Sequence, residues 1–357
     1  MSLLERSHGA NPEKLYQAMG FPMPERILDF STNTNALPWE GDLSIDLRRC
    51  LASYPDDEAT ELRRTIAEHE RPFVEDCSSE NVLVVNGSNE AVYLIASFLG
   101  GKKAALWQPV YGEYARALSA YGAKVQGVFN GVFNAENLPN LPEGTEAFFL
   151  CNPCNPTGGY VEREALENLL QRYPHTLFVV DEAYADFLRG EHRRLDFVRN
   201  QNLIVLRSLT KIFHLCGARV GYVLACEARI ARLKARQPTW SVNAIAQAAT
   251  LTFMQDKEFT RKTRNFYAAE TPRFIAKIEK AGFLVLPTRT HFFLIQVDED
   301  RPLIVFLLKR GLVVRHTRNF PGLDGRYIRV STRAPEENDI LIRALSDFNN
   351  HNRNRAD

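Results

Sequence analysis

Residues 147–158 read AFFLCNPCNPTG, residues 177–184 read LFVVDEAY, and residues 203–211 read LIVLRSLTK. Each opens with a short apolar run and closes on polar residues. Runs of this length, rich in Val, Ile, Leu and Phe, read as strands covered on both faces, as in a parallel sheet. Ligands of such a sheet lie beyond the carboxyl ends of its strands, which is where the polar residues fall. The rhythm continues outward: Val82–Val85, Ala104–Trp107 and Lys124–Val128 precede this region, and Gly221–Ala225 follows it. Helix-like stretches at Glu90–Leu99, Tyr111–Tyr121 and Glu162–Tyr173 alternate with these runs. The pattern predicts an α/β domain with a seven-stranded, mostly parallel sheet. Gly221–Ala225 follows its predecessor with no long helix between, so it is expected to run antiparallel.

Beyond Pro238 the pattern changes. Ala244–Met254 and Lys257–Lys280 read as long helices, the second interrupted near Pro272. Phe283–Pro287, Phe292–Val297, Leu312–Arg315 and Tyr327–Ser331 read as strands, with Pro302–Arg310 and Glu336–Asn349 helical. The expected organisation is an N-terminal arm over 1–30 packing near the active site, a large domain over 31–240, and a small α+β domain over 241–357.

Composition narrows the function classes. The chain has 357 residues, 45% hydrophobic and 24% charged, which is ordinary for a globular protein. Lys and Arg number 44 against 43 Asp and Glu, so there is no basic excess of the kind nucleic-acid binders carry. No apolar run approaches the ~20 residues a membrane helix needs. The start, MSLLERSHGA, lacks an apolar signal core. Six cysteines form no disulfide framework, and the Cys151-x-x-Cys154 pair has no second pair to complete a zinc site. A cytoplasmic enzyme acting on a small molecule, without metal, nucleic acid or membrane, is expected.

The polar motifs carry the chemistry. Gly87-Ser88-Asn89 follows a strand and opens a helix, so its backbone N–H groups form an anion cradle. Ser208, Thr210 and Arg219 can serve the same phosphate. Asp181 can face a protonated ring nitrogen, and Lys211 can form an imine with an aldehyde. Phosphate, ring nitrogen and aldehyde together describe pyridoxal 5′-phosphate. Taken singly, the residues have plainer readings: Asp181 as a helix cap, Tyr111 and Tyr184 as core aromatics, Ser208 and Thr210 as turn closers. Four motifs on one rim argue for one site.

NPxNPTG, DEAY and SLTK with a downstream arginine resemble the fold-type-I aminotransferase superfamily, and the resemblance covers essentially the whole chain. Asn155, Asp181 and Lys211 also lie 26 and 30 residues apart, as there. The resemblance implies that Lys211 bonds the cofactor and moves protons, and that Asp181 keeps the ring nitrogen protonated. It implies that Asn155 and Tyr184 meet the ring hydroxyl and that Tyr111 stacks on the ring. Ser88, Asn89, Ser208 and Arg219 would hold the phosphate. Tyr54 resembles the tyrosine that reaches into a neighbouring subunit's phosphate site, which implies a homodimer.

Further segments are similar to the threonine-phosphate decarboxylases of cobalamin biosynthesis, relatives of the histidinol-phosphate aminotransferases. They are His8-Gly9-Ala10-Asn11, Leu28–Asn35, Trp240-Ser241-Val242-Asn243 and the stretch from Arg315 to Val330. This resemblance implies a substrate bearing both carboxylate and phosphate, with Arg329 on the carboxylate and Arg315 and His8 on the phosphate. Asn33 and Arg318 are further candidates. Arginine suits both anions through paired, charge-assisted hydrogen bonds. Ala36 and Cys216 stand where the pattern has proline, and Cys154 replaces a more usual polar residue, which leaves room for a substrate such as serine phosphate. The same arginines serve decarboxylation or transamination, so the histidinol-phosphate-type aminotransferase using 2-oxoglutarate remains the alternative.

Overall fold

The computed structural model describes residue 9 and residues 11–132, 138–189 and 194–356, with side chains to residue 351. The N-terminal part supplies α1 (Pro12–Met19), β1 (Leu28–Asp29), α2 (Leu47–Ala52) and α3 (Thr60–Glu70). Then come β2 (Val82–Val85), α4 (Gly87–Ala96), β3 (Lys103–Trp107), α5 (Glu113–Ala120), β4 (Lys124–Val128), β5 (Ala147–Cys151) and α6 (Arg163–Arg172). β6 (Leu177–Asp181), β7 (Leu203–Ser208), β8 (Gly221–Ala225) and α7 (Glu227–Lys234) complete the large sheet and its cover. The remainder is α8 (Ala244–Gln255), α9 (Lys257–Lys280), β9 (Phe292–Gln296), α10 (Asp300–Leu308), β10 (Leu312–Val313), β11 (Arg315–His316), β12 (Tyr327–Ser331) and α11 (Pro335–Ala356).

The large sheet has seven strands in the order β2-β8-β7-β6-β5-β3-β4. Only β8 runs antiparallel to its neighbours, as the missing crossover helix predicts. Every residue of β2, β5, β7 and β8 is buried, which is why these strands read as continuous apolar runs. β4, at the edge, is mostly exposed. The winding reverses between β3 and β5: β4 follows β3 outward on one side, and β6 follows β5 on the other. That switch point opens a crevice at the carboxyl ends of β3, β5, β6 and β7.

A second, three-stranded sheet, β11-β12-β9, is antiparallel, and β1 pairs with β10. Two corrections to the sequence expectations follow. Phe283–Pro287 forms no strand; it contributes an isolated bridge, Val285 to Ile295. α9 continues through Pro272. Proline removes one ladder hydrogen bond, but packing on both sides holds the helix: Phe259 and Tyr267 lie in the core of the large sheet, and Phe274 and Ile278 in that of the small one. α8 also packs on the large core, through Ala246, Ala249 and Phe253. Leu15, Tyr16 and Phe30 of the N-terminal part join the small core, and the Tyr16 hydroxyl donates to Leu308 O at 2.8 Å.

Phe149, in the middle of β5, is fully buried and lies 5.8 Å from the Tyr114 ring. Phe149→Ala should destabilise the fold by about 3–5 kcal/mol through lost transfer energy and the cavity left behind. Chemical or thermal unfolding reads this directly, and a change below about 1 kcal/mol would contradict the packing described.

Candidate active site

The strand register brings the motifs together. Cys151 pairs with Asp181 and Asp181 with Leu206, so the ends of β5, β6 and β7 form one rim. Around it lies a cavity of about 120 Å³ lined by Ser88, Asn89, Tyr111, Tyr114, Cys151, Asn155, Asp181, Ala183, Tyr184, Ser208, Thr210, Lys211 and Arg219. Thus the expected residues of four distant segments share one wall. Within Asp181-Glu182-Ala183-Tyr184 the alternation of the strand separates roles. Asp181 faces the cavity, whereas Glu182 turns away into a buried ion pair with Arg207 at 2.9 Å.

At one end stands the start of α4. Gly87 has φ +69°, and a Cβ there would lie 2.5 Å from the Arg219 guanidinium. Both facts call for glycine, and the second shows that Arg219 lies directly over the helix N-terminus. Ser208 Oγ and Thr210 Oγ1 are 2.8 Å apart on the same wall. Asn89 Oδ1 is buried without a hydrogen-bond partner. A helix N-terminus, two hydroxyls and a guanidinium together suit a phosphate.

At the floor, Asp181 Oδ2 accepts from the Tyr114 hydroxyl at 2.5 Å, and its Oδ1 accepts from Ala183 N at 3.0 Å. Burial raises the Asp181 pKa, and these two bonds oppose the rise. A carboxylate so placed is stabilised by a cation such as a ring N–H. Sequence reasoning missed Tyr114, which stands in the first turn of α5, three residues after Tyr111 in the loop before it. Its ring meets that of Tyr111 edge-on at 5.6 Å.

Lys211 stands beyond β7. Burial lowers its pKa, with Arg219 and Arg329 adding repulsion, which favours the neutral, nucleophilic amine. The Cys216 thiol donates to Thr210 O at 2.9 Å and so braces the loop that carries Lys211. Asn35 N donates to Lys211 O at 3.0 Å, tying residues 31–36 to that loop. Burial pushes the Tyr111 hydroxyl up to about 12 and raises that of Tyr184. Tyr184 packs edge-on against Phe292 of β9 at 4.8 Å. The residues present therefore fit pyridoxal 5′-phosphate at each of its three chemically distinct points.

Beside the cavity lie the candidates for substrate. Arg315 and Arg329 are direct cross-strand partners on β11 and β12, and both are buried. Arg329 donates to Asn155 Oδ1 and, at 2.6 Å, to Ser31 O. Arg315 donates to His316 Nε2 at 2.6 Å and to Asn319 Oδ1 at 2.8 Å. Among the described residues neither guanidinium forms an ion pair with a carboxylate. Burial, and for Arg315 the neighbouring Arg329, lowers their pKa values to about 9 and about 10. Asn33 lies beside them: its Oδ1 accepts from Ser331 Oγ at 2.7 Å, and its buried Nδ2 has no hydrogen-bond partner.

Of the remaining expected residues, two point elsewhere and one is not described. His8 lies outside the described residues, although Gly9 packs against Arg315. Arg318 turns away to Asp300 and Glu299. Tyr54 is 79% exposed and stacks on Trp240 at 4.6 Å rather than lining the cavity.

Comparison with known proteins agrees with this geometry. The threonine-phosphate decarboxylase of Salmonella typhimurium is 31% identical over 97% of both chains. The histidinol-phosphate aminotransferase of Moorella thermoacetica is also 31% identical, over 75% of this chain and 72% of that one. The crystal structure of L-threonine-O-3-phosphate decarboxylase from Porphyromonas gingivalis superposes with a TM-score of 0.78 at 29% identity, covering 89% of this chain and 98% of that chain. That of the histidinol-phosphate aminotransferase from Clostridium acetobutylicum superposes at 0.81 with 23% identity, a likeness of fold. The profile of aminotransferase class I and II matches residues 28–345, and the chain belongs to that family of pyridoxal phosphate-dependent enzymes.

Proposed function

We propose that this protein is a carboxy-lyase that converts L-threonine O-3-phosphate into (R)-1-amino-2-propanol O-2-phosphate and carbon dioxide, in cobalamin biosynthesis. The observation that carries the reading is the pair of buried arginines without a carboxylate partner among the described residues, Arg315 and Arg329, joined to the cavity wall where Arg329 bonds Asn155. Two such charges suit a ligand that brings two anions, and threonine phosphate carries a carboxylate and a phosphate on three carbons. Similarity to proteins named threonine-phosphate decarboxylase over nearly the whole chain supports it. The Moorella relative, of equal identity over less of the chain, favours the aminotransferase as the second reading.

Pyridoxal 5′-phosphate, when bound, supplies an aldehyde for Lys211 and a ring that takes up the electron pair released at the substrate's α-carbon. The assigned residues are Gly87, Ser88, Asn89, Ser208, Thr210 and Arg219 on its phosphate, Asp181 at the ring nitrogen, Asn155 and Tyr184 at the ring hydroxyl, and Tyr111 on the ring face. Asp181 holds the ring proton, and Tyr114 steadies the carboxylate for that task. Arg329 orients the substrate carboxylate and Arg315, with His8, its phosphate, and Asn33 is a further contact. Lys211 holds the proton that replaces the departing carbon dioxide at the α-carbon, so atoms and charge balance.

We also infer a homodimer with shared sites. α2 buries no residue, and Leu47, Leu51, Tyr54 and Trp240 leave an apolar surface exposed by 49–79%. A second copy covering it would carry Tyr54 to the partner's phosphate site. All six cysteines are free, which fits a reducing cytoplasm.

Asp181→Asn should retain cofactor but lose at least roughly 10²-fold in turnover, comparable with removing one well-aimed electrostatic group. Tyr114→Phe should change rate in the same direction by less, and a wild-type rate in both variants would remove Asp181 from the ring. Arg315→Ala should weaken threonine phosphate by about 2–5 kcal/mol, read as a raised dissociation constant, while unphosphorylated threonine binds as before. Mixed dimers of Tyr54→Ala and Lys211→Ala subunits should recover one good site in two; heterodimers without recovered activity would argue against sharing. The deciding assay mixes holoenzyme with threonine phosphate or histidinol phosphate. Carbon dioxide from the first supports the reading. Its absence, with the cofactor converted to its amine form by histidinol phosphate, favours the aminotransferase.

A further inference from the structure

Arg315 is held in an unusual way for a buried cation. Two other buried arginines meet carboxylates: Arg207 pairs with Glu182 and Asp186, and Arg194 with Glu70. Arg315 is as buried as these, yet both of its terminal nitrogens donate to neutral acceptors, His316 Nε2 and Asn319 Oδ1. Because arginine only donates, His316 must present a lone pair at Nε2 and carry its proton on Nδ1. His316 is itself buried, and burial together with Arg315 lowers its pKa to about 3, so it stays neutral. The arginine's stem is fixed as well. A Cβ on Gly9 would meet Arg315 Cδ at 3.2 Å, and the Phe320 ring lies 5.4 Å from the guanidinium carbon.

The two kinds of support have different electrostatic outcomes. A carboxylate would fix the guanidinium but cancel its charge before any ligand arrived. Neutral acceptors fix its direction and leave the charge for the ligand. We infer that His316 and Asn319 are positioning residues that orient Arg315 without neutralising it, and that this neutrality sets the preference for a phosphorylated over an unphosphorylated substrate. The inference rests on the placement of the substrate phosphate at Arg315 proposed above.

Asn319→Asp separates orientation from charge. Aspartate has nearly the same shape and accepts the same hydrogen bond, so a purely structural role predicts an unchanged protein. If neutrality matters, Asn319→Asp should raise the apparent dissociation constant of O-phospho-L-threonine roughly tenfold or more, leaving that of L-threonine unchanged. His316→Phe, which removes the second acceptor, should shift the ratio of the two constants in the same direction, and His316→Gln, which restores an acceptor, should return it towards wild type. Both constants come from the initial absorbance change on mixing holoenzyme with ligand, with thermal melting as the check on folding. Wild-type affinity for O-phospho-L-threonine in Asn319→Asp, or equal weakening of both ligands, would overturn the inference. Carbon dioxide release is measured separately. Loss of phosphate preference in a protein that releases no carbon dioxide would uphold the inference and reject the decarboxylase reading; carbon dioxide release with the preference intact in Asn319→Asp would do the reverse.

Discussion

Arg329 joins three pieces of chain that lie far apart in sequence. Its guanidinium reaches Asn155 in the loop after β5 and the carbonyl of Ser31 in the segment after β1, while its backbone pairs with Arg315 in the small sheet. One buried cation therefore ties the cavity to the small sheet. Lost at that point, the small sheet would keep its core but not its alignment with Lys211. The segment of residues 31–36 reinforces the same junction. Asn35 bonds the Lys211 loop and Thr263 of α9, and Ser331 of β12 bonds Asn33.

Concentrating positive charge here has an energetic consequence. Lys211, Arg315 and Arg329 are all basic, and burial makes each of these three cations harder to hold. Such a site is destabilised when empty and is repaid by anions on binding. The anionic cofactor is then part of what keeps the region folded as drawn. The pattern also explains why Asp181 is deep in the floor and Tyr114 bonds it: the one carboxylate among the cavity-lining residues is kept away from the arginines, where it would compete with the ligands.

The large sheet and most of the cavity were legible because doubly covered strands leave continuous apolar runs and the ligand rule places function at their ends. Asp181, Ser208 and Lys211 stand out by position once the strands are counted, whereas the role of Asn155 comes from the family resemblance. Other features left weaker traces. Tyr114 belonged to no motif. His316 carried a contrary one, since neighbouring residues in a strand point to opposite faces; the long Arg315 side chain turns back to reach it. Pro272 suggested a break because local rules do not see that both halves of α9 are already packed. Phe283–Pro287 has strand composition but finds a partner at one position only. Tyr54, exposed in this chain, follows from the family resemblance and not from any pattern in the chain.

α9 belongs to both cores. Its first half contributes Phe259 and Tyr267 to the large one, its second half Phe274 and Ile278 to the small one, and a 24-residue helix is a rod of about 36 Å. Neither core can come apart without stripping half of this helix of its packing, which leaves the other half less stable too. The two sheets are thereby made one cooperative unit, and heating should melt them in a single calorimetric transition.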